Sequence, residues 1–136
     1  MILVDVTFNS DEEIKKIEIS GHANMADEGK DLVCAGCSTC FIGALNAIQD
    51  IDNFKVKVDK GLGFVEAKKN ISNHDKIVLE VLLVQLKSIE YSYSQYLKIN
   101  YIKEGTKWDL FLISNCSPLK KVSVPLKMVV ILNPNA

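Results

Sequence analysis

Between Gly21 and Cys40 the chain reads GHANMADEGKDLVCAGCSTC, and its hydrophobic period changes along that stretch. Before it the spacing is that of strands. Val4, Val6 and Phe8 alternate with polar residues, Asn9, Ser10 and Asp11 supply a turn, and Ile14, Ile17 and Ile19 mark a second strand ending at Ser20. After it the spacing is helical. Val33, Cys37, Phe41, Ala44, Leu45 and Ile48 recur on one face from Leu32 to about Gln49. The ten residues Gly21 to Lys30 have neither period and carry a glycine near each end, so they form a loop.

Working outward, Asp50, Asp52 and Asn53 end the helix. The runs Phe54 to Val58 and Phe64 to Ala67 flank Gly61-Leu62-Gly63, which predicts a second hairpin with its turn on those three residues. Ser72 and Asp75 match a capping box at the head of a long helix, whose apolar residues Ile77, Val78, Val81, Leu82, Leu86 and Ile89 keep their period to about Tyr93. Ile99 to Lys103 reads as a last strand. The expected fold is α+β: two β-hairpins and a final strand in one mainly antiparallel sheet, with two helices packed on one face. That domain occupies residues 1–104. Residues 105–136, interrupted by Ser-Pro, Val-Pro and Asn-Pro pairs, read as a C-terminal extension with no catalytic role.

A chain of 136 residues with 48% hydrophobic content can bury an ordinary core within one domain. Its net charge of -1 argues against a nucleic-acid-binding field, and all 16 basic residues are lysine, so no guanidinium clamp for phosphate or carboxylate is available. No segment has the uncharged length of a membrane span, and MILVDVTFNS lacks the charged and apolar regions of a signal peptide. The expected compartment is the cytoplasm, where thiols stay reduced and four cysteines are reactive, metal-bound or buried rather than paired.

Three chemistries compete for the opening stretch. Cys34, Cys37 and Cys40 spell CxxCxxC, but an iron–sulfur run needs a fourth cysteine nearby and zinc needs a second pair of ligands. Cys34-Ala35-Gly36-Cys37 is a CxxC at a helix start, as in thiol redox proteins, but the residues before it form a histidine-bearing loop rather than a strand. The third reading makes Cys34 a nucleophile and His22 its base. The helix dipole and an imidazole both favour thiolate, and a first-turn position points unpaired helix N–H groups beside the sulfur as oxyanion donors. Asp31 is either a supporting site residue or an ordinary helix N-cap. Ser38, one turn after Cys34, shares its face and either lines the groove or bonds to its own helix backbone. Gly21 and Gly29 would hinge the loop. His74 reads as a surface residue.

The spelling GHAxxxxxGxDxVCAxxS, met at Gly21, His22, Ala23, Gly29, Asp31, Val33, Cys34, Ala35 and Ser38, resembles the signature of the ribosomal-processing cysteine protease family, Prp. The resemblance extends over about the first 104 residues. It implies a homodimeric cytoplasmic cysteine endopeptidase that needs no cofactor or metal. The implied substrate is the short N-terminal extension of a large-subunit ribosomal protein, number twenty-seven, with bulky apolar residues before the cut. The catalytic pair falls on His22 and Cys34, the further polar motif positions on Asp31 and Ser38, and the mobile loop on Ala23 to Lys30. Cys37 and Cys40 are additional to the signature and read as helix packing. The same fold would also serve a non-catalytic ribosome-associated binding protein, or a thiol redox or metal-binding module.

Overall fold

A computed structural model describes residues 1–104. Strand β1 (Ile2–Phe8) buries Ile2, Val4, Val6 and Phe8 and turns the alternate residues outward, the two-residue period of a strand covered on one face. Asn9 shapes the turn that follows by accepting the N–H groups of Asp11 (2.9 Å) and Glu13 (3.0 Å) on its side-chain oxygen. Strand β2 (Ile14–Ser20) returns antiparallel, with Val6 opposite Ile17.

Helix α1 (Leu32–Ala47) starts at the Asp31 cap and stops two residues before the sequence pattern suggested. Ile48 takes an extended conformation there, which buries its side chain and ends the helical hydrogen bonding. A short turn over Ile51–Asn53 leads into β3 (Phe54–Asp59) and β4 (Leu62–Ala67). The hairpin turn is therefore Lys60-Gly61 alone, not Gly61-Leu62-Gly63. Gly61 supplies the left-handed residue (φ 76°), whereas Gly63 lies within β4 under the Phe41 ring, where a Cβ would stand 2.9 Å from a ring carbon.

Helix α2 (Asn73–Ser92) is capped as expected by Ser72, whose hydroxyl accepts from Asp75 N–H at 3.2 Å. The reciprocal half of the box is redirected. The buried Asp75 carboxylate accepts from Gln49 N–H (2.9 Å) and Asp50 N–H (3.2 Å), tying the head of α2 to the end of α1. Strand β5 (Leu97–Lys103) begins two residues before the Ile99 start read from the sequence, because Leu97 is fully buried against the core.

The sheet order is β3-β4-β2-β1-β5. Three neighbouring pairs are antiparallel, and β5 joins β1 in parallel with Ile2 opposite Leu97. That last pairing requires a crossover, which α2 provides. Val4, Val6, Ile17 and Val65 from the sheet meet Val33, Phe41, Leu79, Leu82, Leu83 and Leu86 from the helices in one apolar cluster. The α+β reading with two helices on one sheet face holds. No helix among the described residues is long and apolar enough to cross a membrane. The extension proposed for 105–136 lies outside the described residues.

Candidate active site

The strand period ends at Ser20, and Gly21 turns the chain. Its φ of 89° and the Met1 carbonyl oxygen, 2.6 Å from where a Cβ would sit, leave no room for another residue. Gly21 N–H donates to the Gly61 carbonyl at 2.9 Å, so the turn after β2 is bonded to the β3–β4 turn. His22 follows at once and lays its imidazole against Gly61, where a Cβ would stand 2.9 Å from Nε2. Two glycines thus seat one histidine.

Cys34 enters from the other side, on the first turn of α1, and is partly buried. His22 and Cys34 line the same cleft, about 280 Å³ in volume, together with Ser38, Phe41 and Ile42 from α1 and Val58, Gly61 and Leu62 from the second hairpin. Ile2 and Ile19 add apolar wall from the sheet. The cleft floor is therefore mostly hydrocarbon, with a thiol, an imidazole and a hydroxyl among its polar groups. The Ala23 N–H donates to Cys34 Sγ at 3.4 Å, which directs a backbone dipole at the sulfur.

Asp31 organises both ends of this arrangement. One carboxylate oxygen accepts from Val33 N–H and Cys34 N–H, each at 3.0 Å, and the other accepts from Met25 N–H at 2.9 Å. The Ala26 N–H adds to these. Burial works to raise the acid's pKa, but the four backbone donors outweigh it and hold the carboxyl below its ordinary value. The helix cap and the loop before it therefore share one anion. The expectation of unpaired helix N–H groups beside the sulfur is not met at Val33, Cys34 or Ala35: Asp31 takes the first two through its side chain and the third through its carbonyl, at 3.0 Å. The donor that faces the sulfur comes from Ala23 in the loop instead.

Ser38 stands one helical turn after Cys34 on the cleft wall. The backbone-bonding role weighed for it belongs to its neighbour Thr39, whose hydroxyl donates to the Ala35 carbonyl at 2.8 Å. Gly29 has φ 85° with nothing within 4 Å of a Cβ position, and it is not among the residues that line the cleft. Next to it, Glu28 pairs with Lys60 at 2.7 Å and links the loop to the β3–β4 turn, though both side chains are mostly exposed and such pairs stabilise little. His74 is half-exposed, with Nδ1 3.0 Å from Asp75, and takes no part in the cleft.

The three described cysteines differ in setting. Cys37 also lines the cleft, but only 3% of it is exposed, and burial pushes its thiol up to about 12. Burial raises Cys40 as well, and it lies off the cleft. Among the described residues no group of three or more His, Cys, Asp or Glu is placed to hold a metal ion. Sequence reasoning overlooked Gly61 as a site residue. It is recognisable as a turn glycine, but its position behind His22 exists only because β2 and β4 pair with Ser20 opposite Leu62.

Comparison with known proteins places this geometry. The family described as Cysteine protease Prp matches residues 1–98. The ribosomal processing cysteine protease Prp of Staphylococcus aureus (strain Mu50 / ATCC 700699) is 31% identical over 105 residues, covering 74% of this chain and 99% of the relative. That of Bacillus subtilis (strain 168) is 30% identical over 107 residues, covering 73% and 96%. The crystal structure of the essential S. aureus enzyme with a covalently linked product peptide superposes with a TM-score of 0.68 at 28% identity, covering 74% of this chain and 99% of that one. With a shared fold, a matching family and relatives spanned almost end to end, the chain belongs to the cysteine protease Prp family.

Proposed function

We propose that this chain is a cytoplasmic endopeptidase that removes the short N-terminal extension of a large-subunit ribosomal protein, number twenty-seven, using Cys34 as nucleophile and His22 as acid and base. The observation that carries the reading is that His22 and Cys34 line one largely apolar cleft at the start of α1. The ribosomal processing named for the S. aureus and B. subtilis relatives supports the substrate class.

In this mechanism the imidazole holds the thiol proton, and the thiolate attacks the carbonyl carbon of the scissile bond. The oxyanion that forms lies beside Ala23 N–H, the donor already directed at the sulfur. His22 then protonates the departing amine, which frees the mature N-terminus and leaves a thioester on Cys34. A water molecule, deprotonated by the same imidazole, releases the extension. The apolar wall of Ile2, Ile19, Phe41 and Val58 receives the bulky side chains before the cut. Two copies of the chain act as a homodimer.

The test is incubation with a peptide spanning the extension and the mature start, followed by mass spectrometry. Cutting at a single bond is expected, and iodoacetamide abolishes it. Cys34→Ala and His22→Ala each reduce turnover by ~10³-fold or more with the fold intact by circular dichroism. Full activity in either variant sinks the assignment, and binding without cutting would favour a non-catalytic ribosome-associated role.

A further inference from the structure

The proposed mechanism leaves one feature of the cleft unused. Cys37 lines the same cavity as Cys34, three residues further along α1. Helical geometry puts their Cα atoms about 5 Å apart, inside the ~4.4–6.8 Å range that a disulfide spans, and a small opening of the first helical turn brings the Cβ atoms from about 5–6 Å to the ~3.5–4.5 Å of the bond. Cys34 is partly exposed in the cleft, whereas Cys37 lines the same cleft with only 3% exposure. One sulfur is thus open to a small oxidant, and the other is sheltered but adjacent.

We propose that Cys34 and Cys37 form a reversible disulfide that switches the peptidase off under oxidation by a peroxide. This rests on Cys34 being the nucleophile. The peroxide meets Cys34 first: the thiolate attacks one peroxide oxygen, becomes a sulfenic acid, and releases hydroxide, which leaves as water once protonated. The Cys37 thiol then attacks the Cys34 sulfur. The S–O bond breaks, the S–S bond forms, and the thiol proton departs with the hydroxyl as a second water. Cysteine has lost two electrons and the peroxide has gained them. Two equivalents of a small thiol reverse the bond and are themselves oxidised to a disulfide.

Two surroundings favour this pairing over the alternatives. Cys34 Sγ, which accepts the Ala23 N–H at 3.4 Å, is the partly exposed sulfur that an oxidant in the cleft meets. Burial keeps Cys37 protonated at neutral pH, its pKa about 12, so it does not compete for the oxidant, and its sulfur attacks only as its proton passes to the departing hydroxyl. Cys40 has the same three-residue spacing from Cys37 but lies away from the cleft through which the oxidant arrives. The bond consumes the attacking sulfur, so cleavage stops. It also halts oxidation of Cys34 at a stage thiols can reverse.

The experiment uses the full chain carrying Cys40→Ala, so that the tryptic peptide Asp31–Lys55 holds only Cys34 and Cys37. After hydrogen peroxide treatment and non-reducing digestion, that peptide should be lighter by two hydrogens and regain them with dithiothreitol. Peptide cleavage should fall and recover in parallel. Adding Cys37→Ala should remove the lighter peptide and convert peroxide inactivation from reversible to lasting, as Cys34 passes to sulfinic acid. Absence of the linked peptide in oxidised protein, or equal recovery of both variants, overturns the proposal. A linked peptide in a protein that never cleaves would keep the disulfide and count instead against Cys34 as the nucleophile.

Discussion

Gly61 is a residue outside the His22–Cys34 pair where one added methyl group should reach the catalytic site. Its φ of 76° already strains any side chain, and a Cβ would meet His22 Nε2 at 2.9 Å. Gly61→Ala should therefore cost ~1–2 kcal/mol in folding from the left-handed conformation. Displacing the imidazole should lower kcat/KM by about tenfold to 10²-fold. Steady-state kinetics beside a thermal melt separates the two effects, and unchanged kinetics would show that Gly61 is only a turn residue. Asp31 allows a finer dissection. Asp31→Ala removes the cap and the loop bonds together and should destabilise by ~0.5–2 kcal/mol while reducing turnover. Asp31→Asn keeps an oxygen for Val33 and Cys34 but loses the acceptor for Met25. It should hold the melting temperature near that of the parent and still slow cleavage, because the loop that carries Ala23 is released. A variant that melts early but turns over normally would make Asp31 a cap alone.

At the scale of elements, the junction of the two helices rests on Asp75. Its carboxylate is fully buried and receives Gln49 N–H and Asp50 N–H from the end of α1, with His74 alongside. Burial alone would raise its pKa, but those donors outweigh it and the folded value lies below the ordinary 3.8. A lowered folded pKa stabilises the protein fully above the unfolded value. The contribution then declines as the pH falls below 3.8 and is lost on passing the folded pKa. Asp75→Asn should flatten that acid limb and cost ~1–3 kcal/mol at neutral pH, since one amide oxygen cannot serve both donors. Chemical denaturation at several pH values tests it, and an acid limb as steep as the parent's would exclude Asp75 as its source. The sequence did show Ser72 and Asp75 as a helix start. It could not show that the acid serves another helix, because capping patterns record local partners and Gln49 lies 26 residues away.

For the whole molecule, the sheet and both helices share one core within residues 1–104, and that portion accounts for nearly the full length of the curated relatives. A chain ending at Glu104 should therefore melt in one cooperative transition and retain cleavage within about twofold of the full chain. Loss of folding on truncation would show that residues 105–136 belong to the domain. Much of this architecture could be read in advance, because β1 and both helices carry their own period: two in β1, 3.6 in α1 and α2. Boundaries erred where a distant partner decided them, as with Gly63 beneath Phe41 and Leu97 beside Ile2. By itself the sequence determined which residues become strand, loop and helix, and it put His22 and Cys34 at the ends of two of them, because backbone preference and hydrophobic period act over a few residues. Only the tertiary structure decided that β5 lies parallel to β1 and that Gly61 backs the imidazole. Those relations depend on strand pairing and helix packing between segments far apart in the chain, where no local signal reaches.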